Sequence, residues 1–172
     1  MERYVISENG GCIADSDSLL VVNAQAFTVR PFQADAFDRM LEIEHEVHPN
    51  PWSGEFFHKQ LAASAQGLLS YLGELPVGYL VYQQLIDEVE VLNMATAKNQ
   101  QNQGYASALL EHFMLEASAR DVQQVYLEVA KDNDAAISLY RKFLFQQTGL
   151  RAHYYQRDNG RCDALLMARK LP

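Results

Sequence analysis

Apolar residues along this chain recur in two rhythms, and the switches between them mark out its elements. Phe27-Thr28-Val29-Arg30 alternates apolar and polar side chains, as a half-buried strand does. From Asp35 to Val47 the interval is helical, with Phe37, Met40, Leu41 and Glu44 on one stripe and Pro49 just beyond to stop it. Ser53 offers an N-cap hydroxyl for a second short helix carrying Phe56, Phe57, Gln60 and Leu61. Residues 68–72, 77–83 and 89–95 read as an antiparallel meander, broken by Gly73-Glu74 and by Asp87-Glu88. Ala106, Leu109, Leu110, Phe113, Met114 and Ala117 then form the apolar stripe of a helix lying on a sheet. Residues 125–129 are strand-like, and Ala136, Leu139, Tyr140 and Phe143 make a further helical stripe.

Strand, helix, strand, helix in that order requires a crossover onto one sheet. Residues 148–152 and 164–168, around Asn159-Gly160, predict a closing hairpin. Ahead of all this, residues 1–26 hold β-prone Tyr4-Val5-Ile6 and Leu19-Leu20-Val21-Val22 about Asn9-Gly10-Gly11, and read as an N-terminal extension that a hairpin would fit. The main domain is then residues 27–172, of α/β class, with a mixed, mostly antiparallel central sheet flanked by helices.

Composition narrows the classes. At 172 residues, 48% apolar and 21% charged, the chain has the make-up of one globular domain. Asp and Glu (22) exceed Lys and Arg (14), for a net charge of −8, so a basic nucleic-acid-binding face is not expected and a cationic substrate is the better match. Cys12 and Cys162 make no C-x-x-C pair and read as free thiols of a reducing compartment. With no membrane-length apolar run and no signal-like start, a cytoplasmic location is the expectation. His45-Glu46-Val47-His48 spaces its histidines at i, i+3, not the i, i+4 of H-E-x-x-H. It reads as a surface helix end, and no metal is expected.

The chemistry-bearing stretch is Gln101-Asn102-Gln103-Gly104-Tyr105-Ala106, between a strand and the start of a helix. Unpaired N–H groups and the positive dipole end suit a phosphate there, and a glycine lets it approach the backbone. No Lys-Ser or Lys-Thr follows, and there is no G-x-G-x-x-G, so this is neither a Walker loop nor a dinucleotide fingerprint.

Taken with its surroundings, the loop resembles that of the GCN5-related N-acetyltransferases. Gln-x-x-Gly-x-Ala follows a strand ending Leu92-Asn93-Met94-Ala95, and Leu127-Glu128-Val129, Asn133, Ala135-Ala136-Ile137 and Leu139-Tyr140 come after it. The likeness extends to His48-Pro49-Asn50-Pro51-Trp52-Ser53, Tyr154-Tyr155 and the run from Asp163 to Ala168, and is strongest to the branch of ribosomal-protein alanine N-acetyltransferases. The resemblance implies that acetyl-CoA is the cosubstrate. Its diphosphate would lie on the amides of Asn102, Gln103, Gly104, Tyr105, Ala106 and Ser107, its pantetheine arm along Met94, Ala95 and Thr96, with Asn133 also in contact. Asn133 is equally a helix cap from sequence.

The same resemblance makes Glu128 the general base, at a strand end where burial would raise its pKa, and Tyr140, twelve residues on, the general acid for the leaving thiolate. Trp52, Tyr154 and Tyr155 are candidate walls of the acceptor groove. The implied acceptor is a protein or peptide N-terminus, with a ribosomal protein as the candidate; a small amine, a lysine side chain, and a non-catalytic acyl-CoA sensor stand as alternatives. Three positions depart from the family. Leu144 replaces the usual glycine after the Tyr140 helix, predicting a differently shaped helix end; Asn102 replaces a common basic residue; Ala130 replaces a common arginine.

Overall fold

In the computed structural model, which describes residues 18–22, 25–158 and 160–172, eight strands form one sheet in the order β1-β2-β3-β4-β5-β6-β8-β7. The strands are β1 (Ser18–Val22), β2 (Gln25–Pro31), β3 (Ala65–Leu72), β4 (Leu75–Leu85), β5 (Glu88–Thr96), β6 (Gln124–Ala130), β7 (Gln146–Arg157) and β8 (Gly160–Lys170). The helices are α1 (Phe37–Val47), α2 (Gly54–Ala63), α3 (Tyr105–Ala119) and α4 (Asp134–Lys142). Every neighbouring pair is antiparallel except β5 and β6, which run parallel because α3 carries the chain back across the sheet.

The expected elements are present within a few residues of their predicted ends. Residues 19–22 lie in β1, which pairs antiparallel with β2. Tyr4-Val5-Ile6, Asn9-Gly10-Gly11 and Cys12 lie outside the described residues. The closing hairpin forms too, but β8 inserts between β6 and β7, which leaves β7 on the sheet edge.

Two cores sandwich the sheet. Central strand β4 alternates between them: Leu80 and Tyr82 face α3, while Tyr79 and Val81 face α1 and α2. Leu109, Leu110 and Phe113 of α3 are fully buried, each contributing about 1.5–3 kcal/mol relative to exposure. On the other face Met40, Ile43 and Phe57 do the same for α1 and α2. Ser53 caps α2 as expected, its hydroxyl accepting from the Phe56 amide at 3.2 Å.

The sheet is split where the site lies. β5 and β6 pair only from Glu88↔Gln124 to Val91↔Leu127. At that point β5 carries a bulge, since Val81 faces Asn93 and Tyr82 faces Val91, leaving Leu92 as the extra residue. Before it, Val89 and Val91 face the α3 core; after it, Met94 packs on that core and Ala95 belongs to the other. The bulge thus bends β5 away from β6 and opens a wedge between them.

Candidate active site

Two cavities fill the wedge. The first, about 470 Å³, is lined from β5, the end of β6, β7 and the α1–α2 loop, and includes Glu44, Trp52, Glu128 and Tyr155. The second, about 420 Å³, runs along Met94, Ala95 and Thr96 to the loop before α3. They share Val47, His48, Met94, Asn133, Ala136 and Tyr140, which form the neck between them.

The second cavity joins a helix start suited to an anion with an open strand edge. Gly104 is the N-cap of α3 with φ 92°, a left-handed conformation that a side chain would strain. Just before it, Asn102 takes φ 60°, a conformation asparagine tolerates. The first turn of α3 therefore aims backbone N–H groups into the cavity with no carbonyl four residues back to take them. Beyond the bulge, Asn93 to Thr96 pair with β4 on one side only, so their other edge faces the wedge. Extended amide groups of a ligand can bond to such an edge as a strand would. One of its acceptors is already used, since the Thr96 carbonyl takes a 3.1 Å bond from the Gln101 side chain. Met94, Ala95, Thr96, Asn102, Gly104, Tyr105, Ala106, Ser107 and Asn133 all line this cavity; Gln103 instead turns its side chain to the Asn99 carbonyl, at 3.0 Å. Asn133 has a structural duty as well, capping α4 by accepting from the Ala136 amide at 3.1 Å.

Tyr140 lies at the neck, 8% exposed, with its ring edge-on to Phe145. Burial pushes its hydroxyl up to about 12, so it stays protonated at neutral pH. The helix behind it ends in a left-handed cap even without the glycine. Leu144 takes φ 62°, its amide bonds the Arg141 carbonyl at 2.9 Å, and the Phe145 amide bonds the Tyr140 carbonyl at 3.0 Å. The departure at Leu144 therefore leaves the helix end with the glycine-type geometry and adds backbone strain.

Of the two cavities Glu128 lines the first, and Arg151 of β7 holds its carboxylate at 3.2 Å. Trp52 and Tyr155 form walls of that cavity. Burial, and then the Glu128 charge, push the Tyr155 hydroxyl up. Tyr154 is 42% exposed and lies over the Arg151 guanidinium at 3.8 Å, so it braces the partner of Glu128 and does not line the cavity. Arg157 grips Asp132 through two bonds of 2.9 and 2.8 Å, and Asn50 reaches the Gln156 carbonyl at 2.6 Å, tying β7 to both neighbouring loops.

A buried knot under the α1–α2 loop went unread in the sequence. Glu44, 1% exposed, accepts from Tyr79 Oη, from His48 Nδ1, from the Trp52 amide at 2.7 Å and from Asn93 Nδ2 at 3.3 Å. Burial alone would raise its pKa, but the His48 and Tyr79 bonds outweigh that and hold the carboxyl below its ordinary range. Burial and the Glu44 charge push the Tyr79 hydroxyl well up. The run does end α1, with His45 and Glu46 exposed and His48 as its C-cap, but His48 is half-buried, a neck residue anchored from below. The signal was present in a glutamate occupying the apolar stripe of α1.

A parallel pair of strands parts at a bulge, with a glycine-led helix start at one end of the gap and a buried tyrosine at its middle, and the sheet and helices around it make the fold of an acyltransferase family. The chain belongs to the Acetyltransferase (GNAT) family, whose model matches residues 37–145. It is an acetyl-CoA-dependent N-acetyltransferase. Among its relatives, the [ribosomal protein bS18]-alanine N-acetyltransferase of Escherichia coli (strain K12) is 33% identical over 147 residues, spanning 82% of this chain and 95% of the relative. The enzyme of the same name from Haemophilus ducreyi is 32% identical over 133 residues, spanning 77% and 92%. The crystal structure of the Escherichia coli ribosomal-protein-S18-alanine N-acetyltransferase superposes with a TM-score of 0.81 at 30% identity, covering 84% of this chain and 93% of the other. Among the described residues no helix is long and apolar enough to cross a membrane.

Proposed function

We propose that this enzyme acetylates the α-amine of a protein N-terminus in the cytoplasm, with an alanine-initiated ribosomal protein as its acceptor. The observation that carries the reading is the neck. One cavity suits the thioester, the other suits an extended chain end, and they meet only across Tyr140, His48 and their neighbours. The similarity to the bS18-alanine enzymes supports the choice of acceptor.

In this reading the amides of residues 102–107 and the open edge of Met94–Thr96 hold acetyl-CoA, with the thioester at the neck. Trp52 and Tyr155 flank the incoming chain end. Glu128 removes a proton from the attacking nitrogen, directly or through water, and Tyr140 supplies one to the departing sulfur.

The test is thiol release from acetyl-CoA with alanine-initiated peptides, a lysine peptide with a blocked N-terminus, and polyamines. The alanine-initiated peptides are expected to give the highest kcat/KM. Glu128→Gln is expected to lower kcat by about 10²-fold with CoA affinity unchanged. Preference for a polyamine or lysine would overturn the acceptor, and an undiminished Glu128→Gln rate would overturn the base.

A further inference from the structure

Acetylating a charged amine removes two protons from one nitrogen, and the site as described supplies one base. That base, Glu128, sits on the acceptor side of the neck and is bound to Arg151. The neck itself holds two titratable groups, Tyr140 and His48. Tyr140 is spoken for as the acid. His48 is held as a base would be: Nδ1 is turned onto the buried Glu44 carboxylate, itself fixed by Tyr79, Asn93 and the Trp52 amide. Its side chain is 29% exposed, and among the described residues Nε2 has no protein partner.

We propose that His48, oriented by Glu44, is a second catalytic base that takes the first proton from the acceptor ammonium. This rests on the N-terminal amine reading above. The step balances as follows. An ammonium N–H bond breaks and its proton goes to Nε2, giving an imidazolium whose Nδ1–H remains on Glu44. The freed lone pair forms the N–C bond to the acetyl carbon and the C–S bond breaks. Glu128 takes the nitrogen's second proton, while the thiolate takes one from Tyr140. Glu128 then returns a proton to Tyr140 through water, and His48 releases its own to solvent, leaving amide, free thiol and one proton.

Reference acidities favour this division. An imidazole is by its chemistry a stronger base than a carboxylate, so it is the better acceptor of the first ammonium proton. Glu44 and Tyr79 face the ring from its Nδ1 side, and Glu128, Asp132, Tyr140, Tyr155 and Arg157 face it across the first cavity.

His48→Asn keeps an N–H donor for Glu44 while deleting Nε2. With acetyl-CoA and an alanine-initiated hexapeptide, kcat/KM is expected to fall about 10²-fold at pH 6.5 and to converge to within about 3-fold of wild type above pH 9, where the amine is already neutral. CoA affinity by calorimetry and Tm should match wild type, and His48→Gln should show the same convergence. A deficit independent of pH in both variants, or no deficit, overturns the proposal. Spermidine is run in parallel. If wild type acetylates only spermidine, the N-terminal acceptor falls, and His48 is judged by the same comparison with the convergence moved up to that amine's higher pKa.

Discussion

Replacing Tyr140 with phenylalanine removes one hydroxyl and little else. Among the described residues no protein group bonds that hydroxyl, so its loss orphans nothing, and the ring's packing on Phe145 is kept. Stability should stay within about 0.5 kcal/mol of wild type. The catalytic cost follows from the acidity. With the hydroxyl pushed up to about 12 and an alkyl thiol near 8.5, complete transfer to the thiolate is uphill by about 3.5 units, roughly 5 kcal/mol, unless Glu128 resupplies the proton. In the proposed role, Tyr140 would give the departing sulfur a hydrogen bond as the C–S bond breaks, ahead of handing over its proton, worth about 1.5–3 kcal/mol, or about 10- to 150-fold in kcat. KM should not change, because the bond strengthens only in the transition state. Steady-state thiol release from pH 6 to 10 is the assay. Since a hydroxyl at about 12 remains protonated throughout that range, the deficit should be constant across it. An unchanged kcat, or a deficit that vanishes by pH 10, would refute the reasoning.

Further outcomes are expected. Gly104→Ala forces a side chain into φ 92°, costing about 1–2 kcal/mol or a rotation of the loop, and should weaken CoA binding at least about tenfold by calorimetry; wild-type affinity would contradict the cradle. Leu144→Gly relieves φ 62° at the end of α4 and should raise Tm by about 2–4 °C, for about 1 kcal/mol, with kcat unchanged. Glu44→Gln should cost about 2 kcal/mol in urea unfolding at pH 7. Because folding lowers the Glu44 pKa, its contribution is present above about pH 4.5 and is lost as pH falls through the lowered value, so the gap between variant and wild type should narrow as the medium is acidified below that point.

Hydrophobic spacing made the elements legible because each buries a regular face: the α3 stripe, the β4 alternation and the Ser53 cap all follow from local pattern. The strand-helix-strand order likewise required the parallel pair. The bulge at Leu92 was not legible, since nothing in Val-Leu-Asn-Met distinguishes an extra residue from a regular strand; it exists because β4 and β5 pair out of step. For the candidate site, Gly104 was read from loop chemistry, and Glu128 and Tyr140 from resemblance alone. The knot at Glu44 needs partners from α1, β4, β5 and the α1–α2 loop, separated by up to 49 residues, which no local spacing reveals. Tyr154 was placed by type as a wall, yet β7 shifts register between Arg151 and Tyr155, with His153 at φ 54°, and its ring lies on Arg151.

The central claim is that the gap between β5 and β6 seats the thioester with its diphosphate on the start of α3 and its sulfur at the neck. A crystal structure of this enzyme with CoA tests it most directly. The account predicts diphosphate oxygens on the amides of residues 102–107 and the thiol within hydrogen-bond reach of Tyr140 Oη; a diphosphate seated elsewhere, or a thiol turned away from Tyr140, would contradict it.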